Sequence, residues 1–188
     1  MSILTQIYRF VLIMPSFRLV HFVPASCQAE MLALPVHSIL AVPHRKQGGT
    51  NHWCFYLATS PTTSVRIDCQ QSYTEPSSVL QGGSKANIII SQLRYVVSRD
   101  AQARFKLDVV PGLSVGHVYD QIIEHGRHRY EFDMNGVGCR FWTTDQLDLF
   151  SESQIITNES QVAAAKAGIL KLWPDQTPLP LDQGAYYQ

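Results

Sequence analysis

The spacing of hydrophobic positions changes along this chain. Up to about residue 110 apolar side chains come in short alternating or β-branched runs, and beyond it they recur at helical intervals. The runs at 17–23 and 36–42, both next to prolines, predict short strands. Between them, 25–34 predicts one short helix capped by Ser26. Residues 43–51, with Arg45, Lys46, Gly48 and Gly49, predict a solvated loop. From 52 to 57 the alternation sends His52, Cys54 and Tyr56 to one face of a strand and Trp53, Phe55 and Leu57 to the other. A turn at Ser60-Pro61-Thr62 leads into a partner strand over 65–69, which brings Asp68 toward His52. Residues 72–85, rich in Ser, Gly, Gln and Pro, predict a long surface loop bordering a site, and strands at 87–97 and 104–110 follow.

Helical period begins after Pro111-Gly112. Ser114 caps a segment whose apolar residues Val115, Val118, Tyr119, Ile122 and Ile123 share one face, and Gly126 stops it. Residues 130–132 form a brief extended piece. A helix then starts either at Cys139 or, if Thr143-Thr144-Asp145-Gln146 acts as a capping box, four residues later. The last helix runs from about 159 to 172, with Asn158 as cap, Gln161 at its third position and Pro174 beyond its end. Strands first and helices last predict an α+β fold, an antiparallel sheet with helices packed on it. The expected division is an extension over 1–16, one domain over 17–173 and a surface tail over 174–188.

Composition narrows the function. A chain of 188 residues with 45% hydrophobic content can build its core without disulfides or metal. Fifteen basic and fifteen acidic side chains cancel, leaving no field for nucleic acid or anionic lipid. The four cysteines, Cys27, Cys54, Cys69 and Cys139, lack the spacing of a zinc site, so neither metal nor cofactor is expected. Free thiols point to a reducing, cytoplasmic setting. The apolar run 10–14 after Arg9 is either a short targeting segment or a dispensable extension. Pro15 and Arg18 interrupt it, and no run in the chain is long enough to span a bilayer, so stable membrane insertion is not expected.

The chemistry concentrates in two places. Cys139 follows Gly136-Val137-Gly138 and opens an amphipathic segment, where the free N–H groups of a helix start favour a thiolate. His52, on its strand, is held rigidly enough to act as a base, or it is a core histidine satisfied by hydrogen bonds. The Gly-x-Gly approach lets backbone come close to a bound carbonyl. Asn51 either orients a substrate or ends a loop, and Trp53 and Trp142 are either core or an aromatic wall for an apolar substrate. Cys54 is expected to pack and not to react.

Asn51-His52-Trp53-Cys54-Phe55-Tyr56-Leu57 resembles the histidine strand of the permuted NlpC/P60 group, which includes the lecithin:retinol acyltransferase and H-rev107-like families. Gly138-Cys139-Arg140-Phe141-Trp142 resembles the cysteine helix of that group, with Tyr130-Glu131-Phe132 at the place of its lead-in strand. The chain also resembles a fungal family of uncharacterised domains with an N-H-W and a G-C-R-x-W motif. The likeness covers roughly residues 36–150. It implies a permuted papain-like fold, Cys139 as nucleophile and His52 as base. No histidine stands on the second strand, so the orienting role falls to Asp68 or, failing that, Arg66.

Two function classes follow. One is a cysteine-dependent acyl-transfer enzyme, a hydrolase, acyltransferase or cyclase acting on an ester, thioester or amide of a small molecule, in fungal biosynthesis. Its expected substrate contacts are Asn51, Trp53, Gly138, Arg140 and Trp142. The other is a non-catalytic module that binds a small molecule or a protein in the same cleft.

Overall fold

The computed structural model describes residues 17–45 and 49–188. The expected extension over 1–16 lies outside the described residues. The fold is α+β. Strands β1 (Val20–Val23), β2 (Ser38–His44), β3 (His52–Ala58), β4 (Ser64–Pro76), β5 (Ser84–Leu93), β6 (Phe105–Leu107) and β7 (Tyr130–Phe132) join a late strand, β10 (Gly184–Tyr186), in one sheet. Its order is β10-β7-β5-β4-β3-β2-β6. Neighbours on that path run antiparallel, whereas β1 pairs with β5 in parallel. A separate ribbon joins β8 (Lys171–Leu172) and β9 (Thr177–Pro178).

Alternation on β3 does what the pattern predicts. Trp53, Phe55 and Leu57 enter the main core, and Cys54 and Tyr56 enter a smaller cluster with Val42 on the other face. Helix α3 (Cys139–Glu152) packs on the first of these faces. There the Phe55 ring meets Trp142 at 6.1 Å and Phe150 at 5.6 Å. Truncating so large a side chain in a filled core costs about 3–5 kcal/mol, so Phe55 is a main anchor between helix and sheet.

Helix α2 (Val115–Glu124) starts at Ser114, whose hydroxyl accepts the N–H of His117 while Nδ1 of His117 accepts the N–H of Ser114. A histidine thus fills the place a Glu or Gln takes in a reciprocal cap. Helix α4 (Glu159–Ile169) is capped by Asn158, but Gln161 turns away from the cap to bond the N–H and carboxylate of Asp108 at 2.6 and 2.8 Å.

Several boundaries differ from expectation. Residues 25–34 form a 3-10 turn (Ala25–Cys27) and helix α1 (Gln28–Ala33), with no side-chain cap from Ser26. The expected loop over 43–51 begins late, because Pro43 and His44 still pair with Trp53 and His52. The expected loop over 72–85 narrows to 77–83, because β4 continues to Pro76 across an irregularity between Gln71 and Pro76 and β5 begins at Ser84. The tip of the β4/β5 hairpin is held from β7, where the buried Glu131 carboxylate accepts Ser77 Oγ at 2.5 Å and the N–H groups of Ser78 and Val79 at 2.6 and 2.9 Å. Helix α4 ends at Ile169, short of 172. The segment expected as a surface tail supplies β9 and β10, and β10 pairs with β7. Backbone pairing decided these cases, and side-chain period carries little trace of it. Among the described residues no helix is long and apolar enough to cross a membrane.

Candidate active site

His52 opens β3, and the ladder between β3 and β4 runs from Ala58↔Ser64 only as far as Phe55↔Ile67. Beyond that point the two strands still present His52 and Asp68 to each other, with His52 Nε2 2.5 Å from Asp68 Oδ1. A carboxylate only accepts, so Nε2 donates and Nδ1 is left for another partner. The second oxygen of Asp68 accepts Gln70 Nε2 at 2.7 Å and lies 3.6 Å from the Arg66 guanidinium. Burial alone would raise the Asp68 pKa, but these donors, His52 foremost, hold it below the usual carboxylate value. Burial likewise opposes a charged His52. Its bonds to Asp68 and to the Cys139 thiol outweigh that and push it up to about 10.

The partner on the other side of the imidazole is therefore Cys139. Helix α3 starts at this residue and not at Thr143, since the hydroxyls of Thr143 and Thr144 donate back to the carbonyls of Cys139 and Arg140 at 2.8 and 2.9 Å. Gly138 precedes it with φ 156°, and a Cβ there would stand 3.1 Å from the Phe132 ring and 3.2 Å from the Tyr130 hydroxyl. That hydroxyl donates to the Gly138 carbonyl at 2.7 Å, fixing the turn into the helix. The thiol also lies 3.7 Å from the Asn51 carbonyl and is 1% exposed. The helix start is shared: Asp182, arriving from the segment before β10, accepts the N–H of Phe141 at 2.8 Å and that of Arg140. Burial raises the Asp182 pKa against those bonds.

Four of the expected substrate contacts hold structure instead. Asn51 is buried and ties strands to the loop after α4, donating to the carbonyls of His44 and Trp173 and accepting the Trp173 N–H at 2.7 Å. Trp53 is fully buried and stacks on Phe105 at 5.6 Å. Trp142 is buried and donates to the Arg127 carbonyl at 2.8 Å. Arg140, 2% exposed, spends its guanidinium on the carbonyls of Ile169, Leu179 and Pro180 at 2.7–2.9 Å. Gly138 stays at the site through its backbone.

A cleft of about 190 Å³ opens beside the imidazole, lined by His52, Gln70, Gln71, Tyr73, Phe132 and Gly136. Sequence reasoning named His52, reached Gly136 through the Gly-x-Gly approach and set Tyr73 in a segment bordering a site, but it missed Gln70, Gln71 and Phe132. The alternation that sets Asp68 beside His52 extends by two to Gln70, and that signal was legible. The rest come from a strand read as loop and from backbone closeness: Gly136 has φ +69°, and a Cβ on it would lie 2.2 Å from Gln71 Oε1.

Behind Asp68 a polar chain crosses the outer face of the sheet. Arg66 bonds the Tyr56 hydroxyl, Tyr56 lies 3.1 Å from His44 Nε2, and His44 Nδ1 lies 3.1 Å from Asp100. Arginine only donates and Asp100 only accepts, so each hydrogen in the chain points away from Arg66 through Tyr56 and His44 toward Asp100. Burial keeps His44 below its ordinary pKa, consistent with a neutral acceptor for Tyr56. Cys54 and Cys69 are buried and their pKa values are pushed well up, so they pack as thiols. Among the described residues no group of His, Cys, Asp and Glu could hold a metal ion.

Residues 34–187 match the family described as Domain of unknown function (DUF7770), and the chain belongs to it. No curated protein and no solved structure was found to match the chain.

Proposed function

We propose that this member of the DUF7770 family is a cysteine-dependent acyl-transfer enzyme acting on an ester, thioester or amide of a small molecule. The observation that carries the reading is that one imidazole, His52, interacts with both the Asp68 carboxylate, at 2.5 Å, and the Cys139 thiol. In the reaction the Cys139 sulfur, its proton already carried by the His52 imidazolium, attacks the carbonyl carbon. The imidazolium, held by Asp68, then returns that proton to the leaving oxygen, sulfur or nitrogen, and an acyl-cysteine remains for transfer to water or another acceptor. The permuted NlpC/P60 likeness of the His52 strand and the Cys139 helix supports the same roles and a permuted papain-like arrangement. A reducing, cytoplasmic setting and a place in fungal biosynthesis belong to this proposal.

One observation favours a second reading, a binding module without turnover. Cys139 is 1% exposed and does not line the cleft beside His52, so a carbonyl reaches the thiol only after a side chain moves. Iodoacetamide labelling followed by peptide mass spectrometry separates the two. An enzyme should label at Cys139 at pH 6, and His52→Ala should slow that labelling at least about tenfold while Cys27, which is partly exposed, labels equally in both. Equal labelling of Cys139 in the two proteins would favour the binding module.

A further inference from the structure

We propose that the cleft beside His52 takes a small acyl group carrying a single flat aromatic ring, with Tyr73 and Phe132 as its walls. The inference rests on the acyl-transfer reading and names the substrate class. Size is the first ground. An enclosed apolar cavity of about 150 Å³ accommodates benzene, so an open cleft of about 190 Å³ matches one ring and its carbonyl, and most of a long alkyl chain would be left in solvent.

Chemistry is the second. Of the five lining side chains His52 is the ionised one, and it is committed to Asp68 and Cys139. Gln70 is committed to Asp68 as well. No cation is left over to pair with an acidic acyl group, whereas two aromatic rings face the space and attract flat π-systems in offset or edge-on geometry.

The third ground is the backbone at Tyr73. It has φ +62°, a conformation that bulky L-residues rarely adopt, within the irregular stretch of β4 between Gln71 and Pro76. Strain of this kind persists where the surroundings impose it, often next to a functional site. Here it leaves the ring 82% exposed at the cleft and not folded into the core.

The test uses the full chain with the acetyl, benzoyl and octanoyl thioesters of N-acetylcysteamine. In each case the Cys139 sulfur forms a bond to the carbonyl carbon, the carbon–sulfur bond to N-acetylcysteamine breaks, and the departing thiolate takes from His52 the proton that Cys139 gave up. S-acylation of Cys139 is followed by peptide mass spectrometry, with each rate divided by that of free cysteine with the same thioester. Benzoyl should exceed acetyl and octanoyl by about tenfold, the factor equivalent to one favourable aromatic pair. Tyr73→Ala should bring the three within about twofold, and Tyr73→Phe should keep the preference. In Tyr73→Ala, iodoacetamide labelling of Cys139 should still depend on His52. Absence of a benzoyl preference, or its survival in Tyr73→Ala, overturns the proposal while leaving acyl transfer in place if labelling still depends on His52. Loss of that dependence in the wild-type chain overturns both.

Discussion

His52 Nε2 lies 2.5 Å from Asp68 Oδ1, and Asp68 is 2% exposed. A charge-assisted bond so short and so shielded fixes the tautomer of the imidazole and turns its other nitrogen to Cys139. Asp68→Asn keeps the volume and removes the charge. It should lower turnover, or Cys139 labelling where no substrate is in hand, by at least about tenfold, and lower the unfolding free energy by about 2 kcal/mol at pH 6 as the charged bond is lost. Labelling kinetics beside a urea titration measure both. An unchanged rate would assign the orienting role elsewhere.

Stability should follow pH through the same pair. His52 is raised from 6.5 to about 10, so its contribution is complete below pH 6.5 and disappears as pH rises through 10. Asp68 is lowered, so its contribution is complete above about 3.8 and disappears as pH falls through its folded value. Both are present together between about pH 4 and 6.5. His52→Gln should therefore lower Tm by about 4–8 °C at pH 6, from about 2 kcal/mol for a charged bond. That difference should shrink toward zero by pH 10. A gap that is constant from pH 6 to 10, by circular dichroism melts, would contradict the raised imidazole.

Arg140 was expected at the substrate and sits in the frame. Arg140→Leu fills much of the volume but leaves the carbonyls of Ile169, Leu179 and Pro180 without their donor. The cost should be about 3 kcal/mol or more. Denaturant unfolding should detect it, with hydrogen exchange showing early loss of protection in β10. A drop below about 1 kcal/mol would mean that water replaces the guanidinium without penalty.

Asp182 brings a negative charge to the start of α3, where it accepts the N–H groups of Phe141 and Arg140. Asp182→Asn keeps an acceptor for Phe141 and removes that charge, so formation of a thiolate at Cys139 meets less repulsion. Labelling at pH 8 should rise about two- to fivefold, the range expected for one charge at a helix end. A fall would indicate that Asp182 holds the helix start in place more than it loads it electrostatically.

How much of this was legible follows from which signals side chains carry. Alternation on β3 and β4 placed His52 and Asp68 on one face, because a pleat imposes a strict period of two. The cap at Ser114 and the glycines before Cys139 were equally plain, since each answers a local backbone demand. Asn51, Trp53, Arg140 and Trp142 misled because adjacency to a motif residue says nothing about where a side chain turns. Arg140 meets carbonyls about thirty to forty residues away, and Asn51 meets one 122 away. The strand placement of Tyr73 was hidden because the stretch around it has strand pairing without strand composition.

Asn51 and Arg140 flank the two reacting side chains, and both are bound to the segment that follows α4. During synthesis His52 and Cys139 leave the ribosome before residues 170–182, so a nascent chain carries a thiol and an imidazole with nothing yet to register one against the other. Registration of the pair is thus deferred until residues 170–182 have been made, and a chain cut before them should lose His52-dependent labelling of Cys139 even where its sheet has formed.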